Sequence, residues 1–210
     1  MKRKQPNQKI NGIYAITPNR SLNLLQVEQV LVQHRVAILQ YRHKTEDIHR
    51  KQNEALALRQ LCTQHHTLFI VNDDIKLAKK VQADGVHLGK NDDSIANARE
   101  ALGARAMIGV SCYNALSLAL NAQQQGADYV AFGALFPSTT KPEAIPCSLD
   151  IIAQARQQLS LPIVGVGGIN FDNQQQAIAA GCDAVAMIAA LFDAKHKLAP
   201  IASDKPKPCQ

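Results

Sequence analysis

The sequence predicts an α/β protein built as a single (β/α)8 barrel, or TIM barrel. Short apolar segments alternate with longer amphipathic ones at a spacing of roughly 25 residues, which is typical of repeated βα units. Eight such units can be counted, and the chain of 210 residues exceeds the roughly 200 residues that such a barrel needs. The apolar segments are nearly continuous in hydrophobicity, as in parallel strands covered on both faces. An open flavodoxin-like sheet is the weaker alternative.

The bounds of these units follow from hydrophobic periodicity. The predicted strands are Ile13–Thr17, Ala37–Tyr41, Leu68–Asn72, Gly85–Leu88, Met107–Ser111, Tyr129–Gly133, Ile163–Val166 and Ala184–Met187. The predicted helices are Leu22–Gln33, Asp47–Thr63, Ile75–Val81, Ser94–Leu102, Ala115–Gln125, Leu149–Leu159, Asn173–Ala180 and Ala190–Ala194.

Several of these helices carry residues that favour helix ends. Asp74, Ser94 and Asp172 stand where the third, fourth and seventh helices should begin, and Asp and Ser side chains commonly accept hydrogen bonds from first-turn N–H groups. Gly126 and Gly181 follow the fifth and seventh helices, where glycine favours termination. We therefore expect these five residues to cap their helices.

The charge of the chain is concentrated at its two ends. The net charge is +6, yet four basic residues lie within 1–9, and four lysines against one aspartate lie within 195–210. The sequence therefore predicts a basic N-terminal tail over 1–9, the barrel over 10–194 and a disordered C-terminal tail over 195–210. Because the barrel itself has no excess of positive charge, we do not expect it to bind nucleic acid.

Cysteine usage and hydropathy indicate a cytoplasmic protein. The five cysteines, at positions 62, 112, 147, 182 and 209, are odd in number, are widely spaced and form no C-x-x-C pair. This pattern favours reduced thiols over a disulfide or zinc framework. The basic N-terminus has no apolar stretch behind it, and the longest apolar run, Ala184 to Phe192, is too short to cross a bilayer. We therefore expect no export and no membrane.

Polar residues follow the predicted strands at the end where a barrel of this class carries its active site. Asp73 and Asp92 follow the third and fourth strands, so their carboxylates can converge on one magnesium ion. The alternative for Asp73 is a helix cap, but Asp74 is better placed for that role. His87, within the fourth strand, is predicted to be packed and hydrogen-bonded instead of catalytic.

Two further groups at this end suit phosphorylated ligands. Arg42 and Lys44 fall on one face of an extended segment, with His43 on the other, so the two cations can neutralise a diphosphate. Ion pairs with neighbouring carboxylates are the alternative. Gly167 and Gly168 follow the seventh strand, where many barrels bind phosphate through backbone N–H groups, and this position favours a phosphate site over the alternative of a simple tight turn. The long loop 134–148 is expected to be functional.

Seven ordered segments make the chain resemble the thiamine-phosphate synthase family from residue 12 to residue 194. They are GIYAIT, QYRHK, IVNDD, ADGVHLGKND, IGVS, GADYVAFGALFPSTTK, and PIVGVGGI followed by AGCDAVAMIAAL. The resemblance implies a magnesium-dependent transferase of thiamine biosynthesis. Its small-molecule substrates would be 4-amino-2-methyl-5-(diphosphooxymethyl)pyrimidine and a thiazole ethyl phosphate, and its products thiamine phosphate and pyrophosphate.

The resemblance also implies residue roles. The pyrimidine diphosphate would be bound by Gln40, Tyr41, Arg42, His43, Lys44, Asn72, Ser111 and Lys141. The thiazole phosphate would be bound by Ser138, Thr139, Thr140, Gly168, Ile188 and Ala189. Asp73 and Asp92 would bind magnesium, and Arg42, Lys44 and Lys141 would act in catalysis by stabilising the leaving diphosphate.

Three positions depart from the family pattern: Ser138 replaces a usual Thr, Lys90-Asn91 a usual Gln-Glu, and Ala189 a usual Ser. Two other functions stay open from the sequence. One is a thiazole tautomerase of the same superfamily, which would have no use for paired metal aspartates or for Lys141. The other is a non-catalytic barrel that binds thiazole phosphate or thiamine phosphate. Whether the chain forms a homo-oligomer is also left open.

Overall fold

The computed structural model describes residues 10–89, 92–138 and 143–193. Eight parallel strands form a closed barrel in chain order, and the first strand pairs with the last. The strands are β1 (Gly12–Ile16), β2 (Ile38–Tyr41), β3 (Leu68–Asn72), β4 (Gly85–Leu88), β5 (Met107–Tyr113), β6 (Tyr129–Phe132), β7 (Ile163–Val166) and β8 (Ala184–Met187). The predicted (β/α)8 barrel is confirmed.

One helix follows each strand and packs on the outside of the barrel. The helices are α1 (Leu24–Gln33), α2 (Ile48–Gln64), α3 (Ile75–Lys80), α4 (Ile95–Leu102), α5 (Leu116–Gln125), α6 (Leu149–Gln158), α7 (Gln174–Ala180) and α8 (Ala189–Phe192). The predicted bounds agree with these to within two residues at most ends. None of the described helices combines the length and the apolar character that crossing a membrane requires. The predicted tails, 1–9 and 195–210, lie outside the described residues.

Four of the five predicted helix caps are confirmed. Asp74 and Ser94 accept hydrogen bonds from first-turn N–H groups of α3 and α4, and Gly126 and Gly181 are left-handed residues that end α5 and α7. The prediction for Asp172 is wrong, because Asn173 precedes the first residue of α7. The backbone N–H groups of both residues donate to Oδ1 of Asn170, so a turn separates Asp172 from the helix.

Two apolar layers follow from the alternation of side chains along each strand. The outer layer lies between strands and helices and includes Ala15, Leu39 and Val130. The inner layer fills the barrel and includes Tyr14, Ile38 and Tyr129. Cysteines 62, 112, 147 and 182 are buried free thiols, as predicted, whereas Cys209 lies outside the described residues. Burial raises the pKa of all four thiols.

An Asp–Arg ion pair is repeated three times at the end of the barrel opposite the expected active site. Three aspartates directly precede β4, β6 and β8, and each carboxylate accepts a hydrogen bond from the backbone N–H near the start of the preceding strand and from an arginine of a helix. The sets are Asp84 with Phe69 and Arg59, Asp128 with Ile108 and Arg99, and Asp183 with Ile163 and Arg156. Each set links one strand to the preceding strand and to a helix, so we infer that these contacts stabilise the folded barrel at this face.

Asp128→Ala should lower the free energy of unfolding by about 2–3 kcal/mol, because the Ile108 N–H and the Arg99 guanidinium both lose a charged acceptor. Asp128 Oδ2 lies 2.8 Å from Ile108 N and 2.5 Å from Arg99 Nη2. Urea denaturation of the two proteins measures the difference. The control is Glu100→Ala, an exposed position of α4, which should stay within about 0.5 kcal/mol of the parent. Equal losses in both variants would contradict a specific role for Asp128.

Candidate active site

A cavity of about 810 Å³ opens at the end of the barrel where the strands terminate. Eight of the residues predicted for substrate binding line it: Gln40, Arg42, Asn72, Ser111, Ser138, Gly168, Ile188 and Ala189. An adjoining cavity of about 320 Å³ is lined by Lys44 together with Arg42, Ile188 and Ala189. The two cavities share Arg42, Ile188 and Ala189 in their lining, so these nine residues of the two expected binding sites lie close together.

The segment after β2 alternates between the cavity and α2. Gln40 and Arg42 face the cavity, whereas the side chains of Tyr41 and His43 point away from it toward Glu54. Tyr41 Oη and His43 Nδ1 each donate to Glu54 Oε2 at 2.8 Å. The predicted separation of His43 from Arg42 and Lys44 is thus observed, and neither Tyr41 nor His43 brings its side chain to the cavity.

Glu54 of α2 fixes the segment from Tyr41 to Lys44 through hydrogen bonds with Tyr41 and His43. Burial alone would raise the pKa of Glu54, but hydrogen bonds from His43, Arg50 and Tyr41 hold it below its usual value. On the other side, Arg42 N donates to Thr17 Oγ1 at 2.8 Å and Lys44 N donates to Asn19 Oδ1 at 2.7 Å. Because contacts on both sides fix the segment, the side chain of Arg42 projects into the cavity from a rigid backbone.

The carboxyl groups of Asp73 and Asp92 are in contact, as their positions after neighbouring strands predicted. Asp73 has a left-handed φ of 63°, and its backbone N–H donates to His87 O at 2.8 Å. Burial, then the hydrogen bond with Asp92 and the charge of that group, raise the pKa of Asp73 to about 6. Asp92 Oδ2 also accepts from Gly89 N at 2.6 Å. Two carboxyl groups in contact need either a shared proton or a cation.

The loop after β6 forms one wall of the cavity. Leu135 N and Phe136 N donate to the carbonyl groups of Val166 and Gly167, so the loop extends alongside the end of β7. Gly168 has a φ of 63°, and a Cβ atom there would lie 2.3 Å from Pro137 O. Only glycine fits this contact, which gives Gly168 a packing reason beside any role with phosphate. Thr139, Thr140 and Lys141 lie outside the described residues.

A chain of buried polar side chains crosses the barrel along the cavity, and all of its members except Tyr129 line the cavity. It runs from Gln40 through Tyr14, Tyr129 and His87 to Ser111. The prediction that His87 is packed and hydrogen-bonded is confirmed, and burial lowers its pKa to about 4. The sequence reading missed Tyr14 and Tyr129. The alternation of side chains along a strand could have identified both tyrosines, since both occupy positions that point into the barrel.

Two other groups at the cavity were also missed. Tyr113 lines the cavity with a φ of 54°, next to a register shift at the end of β5, and the residue is 42% exposed. Asn170, Phe171 and Asp172 line the wall after β7. No periodicity marks these positions, because an irregular strand end and a turn determine where the side chains point.

The fold and the site together define a (β/α)8-barrel enzyme with its polar groups gathered at the carboxyl ends of the strands. A model of the family described as thiamine monophosphate synthase matches residues 13–191. The chain is 48% identical to a thiamine-phosphate synthase of Nitrosococcus oceani over 189 residues, which cover 89% of this chain and 87% of that protein. It is 49% identical to a thiamine-phosphate synthase of Methylobacillus flagellatus over 187 residues, with coverage of 88% and 89%.

A solved structure agrees with these matches. Thiamine phosphate pyrophosphorylase from Pyrococcus furiosus aligns with a TM-score of 0.80 and 32% identity over 90% of each chain. The chain therefore belongs to the thiamine-phosphate synthase family, and it is an enzyme of the transferase class.

Proposed function

We propose that the chain condenses 4-amino-2-methyl-5-(diphosphooxymethyl)pyrimidine with a thiazole ethyl phosphate to give thiamine phosphate and pyrophosphate. The observation that carries this proposal is the family match over residues 13–191. The polar lining of the cavity supports it, since cationic, amide and hydroxyl groups face the same opening. We also propose that the enzyme works in the cytoplasm, which suits its free thiols.

The proposed reaction is a dissociative substitution. The bond between the pyrimidine methylene carbon and the diphosphate oxygen breaks, and both electrons leave with the pyrophosphate. The thiazole nitrogen then supplies an electron pair for the new carbon–nitrogen bond. Negative charge grows on the leaving group, so Arg42 and Lys44 lower the barrier by neutralising it. The family resemblance implies the same role for Lys141.

The remaining cavity residues bind and orient the two substrates in this proposal. Gln40, Asn72 and Ser111 contact the aminopyrimidine and its diphosphate. Ser138, Gly168, Ile188 and Ala189 hold the thiazole phosphate, together with Thr139 and Thr140, and so supply proximity. Tyr41 and His43 contribute through their backbone and through Glu54, because their side chains face α2.

Asp73 and Asp92 are the residues proposed to hold magnesium. Their carboxyl contact fits a hard divalent cation, which commonly sits between carboxylates and substrate phosphates. Among the described residues no group of three or more His, Cys, Asp or Glu side chains is placed to bind a metal, so substrate oxygens would complete the coordination. When bound, the cation would supply positive charge beside the leaving diphosphate.

The test uses purified protein, both phosphorylated substrates and magnesium chloride. We expect thiamine phosphate and pyrophosphate to appear in equal amounts and only when both substrates are present. Pyrophosphate without thiamine phosphate would indicate a hydrolase. Binding of the thiazole phosphate without either product would indicate a non-catalytic barrel, and rearrangement of the thiazole alone a tautomerase.

Ala189→Ser should lower KM for the thiazole phosphate by about tenfold or less and leave kcat nearly unchanged. Ala189 lines both cavities, and a serine hydroxyl there would add one hydrogen bond, worth a net of about 0.5–1.5 kcal/mol. The phosphate is remote from the reacting atoms, so the gain applies to the ground state and the transition state alike. Steady-state kinetics with varied thiazole phosphate measure it. A collapse of kcat would place the phosphate elsewhere.

A further inference from the structure

The buried polar chain along the cavity has continuous hydrogen-bonding geometry. Gln40 Nε2 lies 2.8 Å from Tyr14 Oη, which lies 2.8 Å from Tyr129 Oη. Tyr129 Oη lies 3.1 Å from His87 Nδ1, and His87 Nε2 lies 2.9 Å from Ser111 Oγ. The three inner members, Tyr14, Tyr129 and His87, are at most 7% exposed. Gln40, Tyr14, His87 and Ser111 all line the cavity, and Tyr129 joins Tyr14 to His87 behind its wall.

Once Gln40 Nε2 is the donor to Tyr14, the directions of the other bonds follow, because each hydroxyl has one proton to donate. Gln40 Nε2 donates to Tyr14, so Tyr14 directs its single proton to Tyr129, and Tyr129 directs its own to His87 Nδ1. The buried imidazole contacts hydroxyl groups, and a neutral ring has one donor and one acceptor, so Nε2–H donates to Ser111 Oγ. The hydroxyl proton of Ser111 is then available to the cavity.

Reversal of the Gln40 amide would require reversal of the whole chain. With Oε1 toward Tyr14, the hydroxyl protons of both tyrosines would have to point the other way and the ring proton of His87 would have to move to Nδ1. Otherwise a buried donor would lose its acceptor. The packing also resists adjustment, because the rings of His87 and Tyr129 stack with centroids 5.5 Å apart. A Cβ atom at Gly109 would lie 2.0 Å from the Tyr129 ring, so the tyrosine fits only against glycine.

We propose that Tyr14, Tyr129 and His87 are positioning residues that lock the amide of Gln40 and the hydroxyl of Ser111 in one donor–acceptor arrangement, and thereby select an aminopyrimidine over its oxo analogue. The inference rests on the proposed function. A fixed amide presents one N–H and one C=O side by side, which matches a ring nitrogen beside an amino group. The oxo analogue presents the reverse pattern, and a fixed amide rejects it.

Tyr129→Phe and Tyr14→Phe test the proposal, since each removes one hydroxyl from the chain. The measurement is the ratio of kcat/KM for the 4-amino substrate to that for the 4-oxo analogue, taken on one preparation so that the fraction of active protein cancels. We expect the parent ratio to exceed 100 and to fall at least tenfold in both variants, because Gln40 can then turn at little cost. An unchanged ratio in both variants overturns the proposal.

Thr67→Val is the matched control, because it removes a buried hydroxyl far from the cavity. Thr67 is 4% exposed, and its Oγ1 donates to Val36 O at 3.0 Å. Its loss should lower stability by an amount similar to a buried Tyr→Phe change and leave the substrate ratio at the parent value. A ratio that falls equally in Thr67→Val would show that lost stability, and not the broken chain, relaxes selection.

A second measurement needs no substrate and so separates this inference from the proposed function. In 15N-labelled protein the side-chain nitrogen shifts of His87 report its tautomer. We expect the Nε2–H form in the parent and a mixture of tautomers in Tyr129→Phe. A parent with the proton on Nδ1, or a variant with the parent spectrum, overturns the inference. A parent that gives this spectrum but makes no thiamine phosphate contradicts only the proposed function.

Discussion

Asp92→Ala should lower kcat/KM for the pyrimidine diphosphate by roughly 10²–10³-fold, or about 3–4 kcal/mol. Asp92 is proposed to share a divalent cation with Asp73, and the two carboxyl groups are already in contact. Removing one of two protein ligands leaves too few carboxylates to hold the cation beside the leaving diphosphate. Excess chelator should abolish the activity of the parent enzyme, and added magnesium should restore it.

Thermal unfolding gives a second measure of the same site. A ligand that binds only the folded state raises Tm, so magnesium should stabilise the parent protein and have no effect on Asp92→Ala. Asp93→Ala is the matched control, because this neighbouring carboxylate accepts a hydrogen bond from Asn97 Nδ2 of α4 at 3.1 Å. It should keep both the activity and the magnesium response. Full activity of Asp92→Ala in the presence of chelator would end the metal assignment.

Arg42→Ala should lower kcat/KM by roughly 10²–10³-fold, with kcat itself strongly reduced, because the negative charge that Arg42 neutralises develops as the diphosphate leaves. Arg42 lines both cavities, and Thr17 Oγ1 fixes its backbone. Arg42→Lys should recover only part of the loss, because an ammonium group lacks the two-pronged geometry of guanidinium. Initial rates over a range of pyrimidine diphosphate concentrations separate KM from kcat.

Arg105→Ala is the control for lost positive charge. Arg105 is exposed in the segment before β5, at the opposite end of the barrel, and its replacement should leave the kinetics unchanged. If Arg42→Ala raised KM alone and left kcat at saturation near the parent value, Arg42 would bind the ground state only. The assignment of Arg42 to the leaving group would then be wrong.

Much of the active site could be predicted from two properties that depend only on local sequence. These are the order of the strands and the alternation of side chains between the two faces of each strand. Once Ile38–Tyr41 is recognised as a strand, Gln40, Arg42 and Lys44 must share a face, and the cavities are lined by these three residues. The same logic placed Asp73 and Asp92 at the ends of neighbouring strands, where the structure brings their carboxyl groups together. Asp74 was separated from Asp73 correctly, since it caps α3.

Other features could not be predicted, because they depend on atoms brought together by closure of the barrel. Tyr14 and Tyr129 are 115 positions apart and meet across the barrel interior. The three aspartates that precede β4, β6 and β8 acquire their arginine partners only when helices pack on strands. Asp172 was misjudged because it lies in a turn in which Asn170 Oδ1 accepts from the N–H groups of Asp172 and Asn173, and the helix begins only at Gln174.

The sequence alone determined the eight βα units, the end of the barrel that carries the site and the family resemblance. These features depend on short-range periodicity and on the order of motifs, and both can be observed without knowledge of the tertiary contacts. The tertiary structure decided which predicted residues face the cavity, turning Tyr41 and His43 toward Glu54. It also decided the hydrogen-bonded chain between Gln40 and Ser111, because the direction of a buried hydrogen bond depends on partners from five different strands.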